Sequence, residues 1–153
     1  MPNTYTQINI HAVFAVKHRE NIITRNYRDE LHKYISGILT NLKQYPLAVN
    51  GWKDHVHIFF EMQPTSNLSD ILQIVKANSS KWINTNNFVK GKFNWQNGFG
   101  GFSYSKSQRA NVIRYIVNQE QHHEGISFKK EYLNLLEKFE IDFKDQYLFE
   151  FYE

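Results

Sequence analysis

The sequence predicts an α+β fold in which an antiparallel sheet carries helices on one of its faces. Residues 5–16 alternate between hydrophobic and polar side chains, which is the period of a strand with one buried face. Hydrophobic residues recur every three or four positions in residues 27–42 and in residues 68–83, which is the period of an amphipathic helix. Asn50-Gly51 lies between two hydrophobic runs and indicates a tight turn that reverses the chain. Together these patterns favour an antiparallel α+β domain.

The composition favours one folded domain. The chain has 153 residues, of which 41% are hydrophobic and 16% aromatic. This is enough to bury one core and too little for two ordinary domains. We therefore expect a single domain over residues 1–153. A formal net charge of +3 and a pI near 9.0 permit nucleic-acid binding without establishing it.

The sequence also excludes several classes of protein. It contains no cysteine, so disulfides, thiolate catalysis and cysteine-based zinc fingers are excluded. No stretch approaches the roughly 20 apolar residues that span a bilayer, and we expect no leader segment. We therefore expect a soluble protein inside the cell, without membrane association.

The first half of the chain supplies two strands and a helix ahead of the turn. The strand of residues 5–16 places His11 on its polar side, where we expect a solvated or hydrogen-bonded imidazole. The helix of residues 27–42 is ended by Pro46, and residues 47–49 form a second strand. The turn then leads antiparallel into a third strand.

This third strand, residues 54–61 with the sequence DHVHIFFE, carries the feature on which the functional prediction depends. Side chains alternate between the faces of a strand, so its hydrophobic residues enter the core while His55 and His57 project together from the other face. Two neighbouring imidazoles on a rigid strand supply half of a metal site. A further donor must come from elsewhere in the chain.

The next segments are a helix over residues 68–83, a loop over residues 84–101 rich in Asn, Gly and aromatic residues, and a final strand at residues 102–104. Lysines on the exposed side of the helix can contact phosphates, although solvated lysines are commoner. Aromatic residues in the loop either stack on unpaired bases or anchor the loop in the core. The candidate DNA contacts in these segments are Lys76, Lys81, Lys92 and Trp95.

A third helix is expected to begin at Ser105, which has capping-box spacing with Gln108, and to run to about His123. Its packing stripe contains four residues: Val112, Ile113, Ile116 and Val117. Tyr115 lies off this stripe and one turn from Gln119. Gln119 can offer its amide oxygen to the metal, with Tyr115 beside it and its phenol free. That arrangement places a nucleophile next to a Lewis acid.

The order strand, helix, strand, strand, helix, strand is that of ferredoxin-like, or RRM-like, folds, in which helices cover one face of the sheet and leave the other open. The histidine pair falls on the open face, and the tyrosine-bearing helix lies against that face in its own chain or in a partner. Residues 128–139 predict a further short helix. The aromatic residues 147–152 are expected to dock on the same chain or across a dimer.

The His-hydrophobe-His strand, followed by a helix with Tyr-x-x-x-Gln, resembles the single-tyrosine HUH transposases of the insertion sequence 200/605 family. Three further stretches resemble that family: TYTQ at residues 4–7, KANSSK at residues 76–81 and WQNGFG at residues 95–100. The resemblance covers essentially the whole chain. The ordered set of motifs carries it, because His-x-His alone is common by chance.

The resemblance implies a DNA transposase that cleaves and rejoins single-stranded DNA to excise and insert a small insertion sequence. It implies that Tyr115 is the nucleophile, forming a 5′-phosphotyrosine intermediate, and that His55, His57 and Gln119 hold Mg²⁺ or Mn²⁺. Because imidazole prefers softer metals than Mg²⁺, we expect Mn²⁺ to support activity at least as well. His122 is a further candidate DNA contact.

The resemblance also implies the partners and the setting. The DNA would carry hairpins at the ends of the element, and the protein would act as a homodimer in which the tyrosine helix often completes the partner's site. The expected location is the bacterial cytoplasm, in association with the nucleoid. The sequence does not give the hairpin, the cleavage site, the mobility of the element, or whether Tyr115 acts within its own chain.

Three other functions stay open from the sequence. A domesticated relative that processes repeated chromosomal hairpins would use the same chemistry, as would a nicking enzyme of replication or conjugation, although such enzymes are usually larger. A non-catalytic RRM-like module would bind nucleic acid by stacking bases on exposed sheet aromatics. An unrelated metal-binding protein would show no preference for DNA.

Overall fold

Four antiparallel strands form one sheet in the computed structural model, which describes residues 3–152. The strands are β1 (Asn9–Ala15), β2 (Tyr45–Gly51), β3 (His55–Glu61) and β4 (Gly100–Tyr104). Their order across the sheet is β2-β3-β1-β4, so the histidine strand β3 pairs with both β2 and β1. The predicted α+β fold with a ferredoxin-like antiparallel sheet is confirmed.

Five α-helices accompany these strands within residues 3–152. They are α1 (Arg25–Asn41), α2 (Leu68–Thr85), α3 (Arg109–Val117), α4 (Gln119–His122) and α5 (Phe128–Lys138). Short 3-10 turns lie at Arg19–Asn21, Lys106–Gln108 and Asp145–Tyr147. Over the described part of the chain, no helix combines the length and the apolar character needed to cross a membrane.

One face of the sheet, which we call the first face, packs against α1 and α2. Its core is apolar, and the alternation in β1 and β3 predicted which side chains enter it. The strand residues on this face are Ile10, Ala12, Phe14, Val56, Ile58 and Phe60. The helix α2 begins at Leu68, as predicted, and the Asn67 side chain caps it by accepting from the Asp70 amide at 3.2 Å.

The opposite face, which we call the second face, is covered rather than open. The helix α5 and the C-terminal aromatics bury Phe102, Phe128 and Phe149 against it, and α3 buries Val112 and Ile116 beside β3. The prediction of an open face is therefore wrong, because the chain after the ferredoxin-like elements supplies a second apolar layer. The aromatic tail docks on its own chain, which was one of the two predicted alternatives.

The reversal between β2 and β3 lies at residues 52–54 rather than at Asn50-Gly51, because both of the latter residues still pair with β3. Gly51 is nevertheless needed at this turn. A Cβ on Gly51 would lie 2.2 Å from the carbonyl oxygen of His55, a separation that only glycine avoids. The predicted antiparallel connection is confirmed and its position is corrected by a few residues.

Two other boundaries also differ from the prediction. Regular pairing of β1 begins at Asn9 rather than at residue 5. The helix α1 ends at Asn41, where Lys43 adopts the left-handed region with φ of 64°, so Pro46 does not end the helix. Pro46 lies in β2, an edge strand, where a missing N–H is tolerated.

The predicted single helix over residues 105–123 is divided into a 3-10 turn, α3 and α4. The Ser105 side chain does not cap the backbone, because its hydroxyl contacts the hydroxyl of Ser107 instead. The division between α3 and α4 falls at Asn118, where the Asn50 amide of β2 donates to the carbonyls of residues 116 and 117 at 3.0 and 3.1 Å. Val117, predicted to pack in the core, is 54% exposed at this division.

Candidate active site

Both histidines of β3 lie on the second face and are fully buried. The ring of His55 stacks on that of Phe128 from α5, with ring centroids 3.9 Å apart. Its Nδ1 donates to the Asp54 carboxylate at 2.7 Å, which directs Nε2 into the space between the sheet and the helices. The strand alternation and one neighbouring carboxylate therefore fix the orientation of this imidazole.

The ring of His57 is fixed from the other side by β1. Its Nδ1 lies 2.7 Å from Nε2 of His11, which is fully buried, and the two rings stack with centroids 5.0 Å apart. The expectation of a hydrogen-bonded His11 is confirmed. Nε2 of His57 points towards the same space as that of His55, so one outward-facing nitrogen from each histidine converges there.

The structure brings Gln119 and Tyr115 to this space as well. Gln119 is fully buried at the start of α4, and its Oε1 lies 3.2 Å from Nε2 of His55. Tyr115 is half-buried in α3, and its ring lies edge-on to the ring of His57 with centroids 5.8 Å apart. The four residues that the sequence selected as metal ligands and nucleophile are therefore neighbours, although a helix division separates Tyr115 from Gln119.

At the centre of this cluster lies Glu131 of α5, which the sequence reading missed. Its side chain is 2% exposed. Oε1 lies 3.2 Å from Nε2 of both His55 and His57, while Oε2 accepts from the Gln119 amide at 2.9 Å. The Tyr115 hydroxyl also donates to Oε2. The prediction of a free phenol is therefore wrong. One carboxylate thus contacts all four predicted residues.

The sequence contained a signal for Glu131. It lies three residues after Phe128 and four before Leu135, so the helical period of residues 128–139 puts it on the same face as these two hydrophobic residues. A carboxylate on the buried stripe of a helix is rarely left without a partner. Its partners, however, lie on β3, α3 and α4, and local spacing cannot identify contacts between separate elements.

His123 also faces the cluster. Its Nδ1 donates to the carbonyl of Ile126 at 2.8 Å, and its Nε2 lies 3.0 Å from Oε1 of Gln119 and 3.1 Å from Oε1 of Glu131. A histidine whose one nitrogen is held by a carbonyl presents the other to a cation or proton. His123 therefore adds a further donor to the same space.

The charges of this cluster depend on one another. Burial alone would lower the pKa of His55, but hydrogen bonds with Asp54 and Glu131 raise it to about 9. Burial alone would raise the pKa of Glu131, but His57 and the hydrogen bonds from His123 and His55 hold it well below its usual range. Glu131 is therefore an ionised acceptor surrounded by imidazoles.

His57, His11 and Tyr115 stay neutral. Burial lowers the pKa of His57, and burial with the nearby His57 lowers that of His11 well below its usual value. Burial, followed by the adjacent Glu131 carboxylate, raises the pKa of Tyr115. The phenol therefore keeps its proton at neutral pH in this state and donates it in a hydrogen bond.

This cluster can bind a metal ion. The donor atoms of His55, His57 and Glu131 lie within 4.8 Å of one another, as do those of His122, His123 and Glu131. Neutral imidazole nitrogens with carboxylate and amide oxygens form a mixed donor set that suits a divalent cation. The residues present therefore fit the metal that the sequence predicted, with Glu131 and His123 beside the three predicted ligands.

A cavity of about 380 Å³ opens beside Tyr115 between α3 and α5. His122 lines it, half-buried, with Nε2 3.4 Å from Oε2 of Glu131. The hydroxyl of Tyr115 therefore lies between the metal-binding cluster and a space that another molecule can enter. His122, predicted as a DNA contact, is at the boundary of both.

The other predicted DNA contacts lie away from this cavity. Trp95 is 7% exposed and its indole donates to the Ser79 hydroxyl at 2.9 Å, so it is a core anchor, the alternative that the sequence left open. Lys76 is half-buried and donates to the carbonyls of Gln96, at 2.9 Å, and Gly98. Burial lowers the pKa of Lys76 to about 8, so this lysine supports the loop rather than standing free.

Lys81 and Lys92 are exposed and can still contact a phosphate. Neither of them lines the cavity beside Tyr115. Of the five residues predicted to contact DNA, only His122 therefore adjoins the cluster.

The fold and the site define a class of protein: an RRM-like α+β domain whose central strand presents two histidines to a helical tyrosine and glutamine. Residues 4–119, more than half of the chain, match the family model described as Transposase IS200 like. The chain belongs to this family. Glu131, His122 and His123 lie beyond the matched residues.

Solved structures share the fold. One is the crystal structure of a protein described as a transposase from Deinococcus radiodurans R1, with a TM-score of 0.62 and 21% identity, over 76% of this chain and 94% of that chain. Another is a REP-associated tyrosine transposase bound to a REP hairpin, with a TM-score of 0.60 and 12% identity, over 81% of this chain and 73% of that chain. No protein of curated function matches the chain in sequence. Family membership supports a transposase function.

Proposed function

We propose that this chain is a metal-dependent transposase that cleaves and joins single-stranded DNA through a 5′-phosphotyrosine on Tyr115. The reaction would excise and insert a small insertion sequence. The observation that carries the proposal is the position of the Tyr115 hydroxyl, which is hydrogen-bonded to the carboxylate at the centre of the histidine cluster and opens onto a cavity. A nucleophile, a cation site and space for a substrate therefore meet at one point.

The chain's own residues hold the nucleophile in place. Because the Tyr115 hydroxyl directs its proton to Glu131, a lone pair of its oxygen can approach a phosphorus atom from the cavity. Attack forms the bond from phosphorus to tyrosine oxygen and breaks the bond to the 3′ oxygen of the preceding nucleotide. Glu131 Oε2 is the adjacent acceptor for the phenol proton, and the leaving 3′ oxygen takes a proton from solvent to become a 3′ hydroxyl.

The phosphotyrosine bond preserves the energy of the broken phosphodiester. A 3′ hydroxyl can therefore attack it in the reverse sense and release Tyr115, so strand transfer needs no nucleoside triphosphate.

His55, His57 and Gln119 would hold Mg²⁺ or Mn²⁺, with Glu131 and His123 completing the donor set. A bound divalent ion supplies Lewis-acid stabilisation of the charge that develops on the phosphate oxygens. Asp54 and His11 orient the imidazoles of His55 and His57 by hydrogen bonding their far nitrogens. Since imidazole prefers softer metals than Mg²⁺, Mn²⁺ is expected to support the reaction at least as well.

The substrate is expected to be single-stranded DNA with hairpins at the ends of the element. The second solved structure above supports DNA as a partner, because that protein is bound to a REP hairpin. We propose that the working form is a homodimer. A dimer is compatible with a site assembled inside one chain, since β3, α3, α4 and α5 of this chain supply His55, His57, Tyr115, Gln119 and Glu131.

That same similarity favours a second candidate function with identical chemistry. A domesticated relative that processes repeated chromosomal hairpins would use the same nucleophile and donors, and the second solved structure is described as a REP-associated tyrosine transposase bound to a REP hairpin. Cleavage of oligonucleotides carrying the ends of the chain's own element favours the transposase. Cleavage only of dispersed hairpins elsewhere in the genome favours the domesticated relative.

The mechanism is tested by trapping the covalent intermediate. The protein is incubated with Mn²⁺ and labelled single-stranded oligonucleotides from the flanks of its gene, and a denaturing gel is examined for a protein-DNA band. We expect a band with the natural chain that disappears with Tyr115→Phe or with a chelator. Tyr147→Phe, which changes a tyrosine that is 78% exposed, is the matched control and should keep the band.

Two outcomes would overturn the proposed chemistry. A Tyr115→Phe protein that still cleaves would indicate a hydrolytic mechanism with a water nucleophile. Tight DNA binding without cleavage under any metal would favour the non-catalytic RRM-like binding module.

A further inference from the structure

Asn50, near the end of β2, contacts the segment that joins Tyr115 to Gln119. Its side-chain amide donates to the carbonyls of Ile116 and Val117 at 3.0 and 3.1 Å. These carbonyls belong to the last two residues of α3, directly after Tyr115. One amide group of the sheet therefore holds the end of the helix that carries the proposed nucleophile.

The two carbonyls would have other partners if the helix were continuous. Each carbonyl of an α-helix accepts from the amide four residues later, so the carbonyls of residues 116 and 117 would accept from the amides of residues 120 and 121. The sequence predicted such a continuous helix, whereas α3 ends at Val117 and α4 begins at Gln119. Asn50 therefore supplies, from the sheet, the donors that a continuous helix would supply from its next turn.

The packing of α3 on the sheet constrains the helix less strictly than these hydrogen bonds do. The buried residues of α3, Val112 and Ile116, pack against Phe59 of β3. Apolar contacts are non-directional, so they hold a helix against a sheet without defining its position along its own axis. Hydrogen bonds require a defined distance and angle. The two bonds from Asn50 therefore fix the position of α3, and of Tyr115 within it, along the sheet.

The contacts of Tyr115 depend on how α3 lies relative to α4. The Tyr115 hydroxyl and the Gln119 amide both donate to Oε2 of Glu131. Because the two donors lie on opposite sides of the division, a rotation of α3 relative to α4 would break one of these contacts. A displacement of about 1 Å in a reacting group can lower a rate by about a hundredfold. The division at which Asn50 binds therefore bears directly on the geometry of the phenol.

We propose that Asn50 is a positioning residue for Tyr115. By binding the carbonyls at the end of α3, its amide keeps α3 and α4 separate and fixes the phenol on Glu131. Asn50 does not line the cavity beside Tyr115, and lines instead a separate cavity of about 300 Å³ between α1, β2 and α4. The inference rests on the proposed function, in which Tyr115 is the nucleophile.

The first test measures the rate of covalent product formation with Mn²⁺ over a series of oligonucleotide concentrations. Asn50→Leu keeps the approximate size of the side chain and removes both donors. We expect the maximal rate to fall about ten- to a hundredfold and the half-saturating DNA concentration to change less than about threefold, because Asn50 lies outside the substrate cavity. Weaker DNA binding at an unchanged maximal rate would overturn the proposal.

Asn50→Gln is the conservative variant, because it keeps the amide and the adjoining cavity has room for one more methylene group. It should keep a maximal rate within about fivefold of the natural chain. Asn41→Leu, at an exposed asparagine that ends α1, is the matched control and should keep the natural rate. Equal losses of rate in Asn50→Gln and Asn50→Leu would overturn the proposal, because the donors would then make no difference.

The second test observes the division by hydrogen exchange and needs no DNA. In Asn50→Leu, the released carbonyls of residues 116 and 117 are expected to accept from the amides of Glu120 and Gln121. Exchange of these two amides should therefore slow by about tenfold or more. The amides of α2, which packs on the first face, are the internal reference and should exchange as in the natural chain. Unchanged exchange at Glu120 and Gln121, or faster exchange in both segments, would overturn the proposal.

The outcomes separate this inference from the proposed function. Covalent product formed by Asn50→Leu at the natural maximal rate overturns the positioning role and leaves the phosphotyrosine mechanism standing. Absence of covalent product from the natural chain with every oligonucleotide contradicts the proposed function itself, whatever the hydrogen exchange shows.

Discussion

The two faces of the sheet are built from the same strands and buried to the same extent, yet they differ in chemistry. On the first face, β1 and β3 contribute only apolar side chains, which pack against α1 and α2. On the second face, the alternate positions of the same strands contribute His11, His55 and His57, each of them fully buried. The period of a strand allows one sequence to encode a packing surface and a chemical surface at once.

This difference has a thermodynamic consequence. Apolar burial stabilises the first face by about 25 cal/mol per Å² removed from water. Burial of imidazoles and a carboxylate is unfavourable unless each group finds a partner. On the second face the partners are supplied by Asp54, Gln119 and Glu131. The strands of the first face are therefore stabilised by apolar packing alone, whereas the second face combines an apolar layer with polar groups that are in place for chemistry.

The largest expected effect on stability comes from truncating a buried side chain of the first face. Phe60→Ala should lower the free energy of unfolding by about 3 to 5 kcal/mol, because it removes a fully buried ring and leaves a cavity. Urea denaturation measures this change. Phe143→Ala, at a ring that is 47% exposed, is the control and should cost less than about 1 kcal/mol. If folded Phe60→Ala protein lost Mn²⁺ binding, metal binding on the second face would depend on packing on the first face, which contradicts the comparison.

The next effect concerns acid stability and involves His32, a buried histidine of α1. Burial lowers its pKa from 6.5 to about 4. The unfolded chain binds a proton on His32 more tightly than the folded chain does. The contribution of neutral His32 to the free energy of unfolding is therefore present above pH 6.5 and is lost as the pH falls towards 4. Between pH 7 and pH 4, the natural chain should therefore lose about 3 kcal/mol more of its free energy of unfolding than His32→Leu does.

Denaturation of both proteins at pH 7 and pH 4 measures the contribution of His32. His18→Leu, at an exposed histidine, is the matched control and should leave the acid loss unchanged. Equal losses of stability for the natural chain and for His32→Leu would contradict this assignment.

A smaller effect belongs to the second face. Mn²⁺ at about a hundredfold above its dissociation constant should stabilise the folded chain by about 2.7 kcal/mol. The stabilisation should disappear in His57→Ala and persist in His18→Ala. Because the pKa of His55 is about 9 and the metal binds the neutral imidazole, Mn²⁺ affinity should rise as the pH increases from 7 to 8. Calorimetric titration measures both results, and affinity that falls with pH would contradict them.

Local patterns predicted the parts of the fold and site that depend on a few neighbouring residues. The placement of His55 and His57 on one face followed from the strand period, and the proximity of Tyr115 to Gln119 followed from one helical turn. The division at Asn118 did not follow, because its cause is Asn50 on a distant strand. Glu131 was missed for the same reason, since its partners lie on other elements.

Composition proved a weaker guide than periodicity. Trp95 and Lys76 had the residue types of a nucleic-acid contact, yet the loop places the indole in the core and the ammonium group on two carbonyls. The direction of a loop side chain depends on long-range packing that the sequence does not display. The open second face was wrongly predicted because a ferredoxin-like pattern ends before α5, whose buried side covers that face.

We infer that the buried polar cluster of the second face directs Tyr115, and no other tyrosine, to DNA. Two tyrosines, Tyr104 and Tyr115, line the cavity between α3 and α5, so the identity of the modified residue discriminates between them. The most direct measurement is tandem mass spectrometry of the protein-DNA product formed with Mn²⁺, after nuclease trimming and proteolysis. We predict a nucleotide linked through its 5′ phosphate to Tyr115. A nucleotide on Tyr104 or on any other residue would contradict the account.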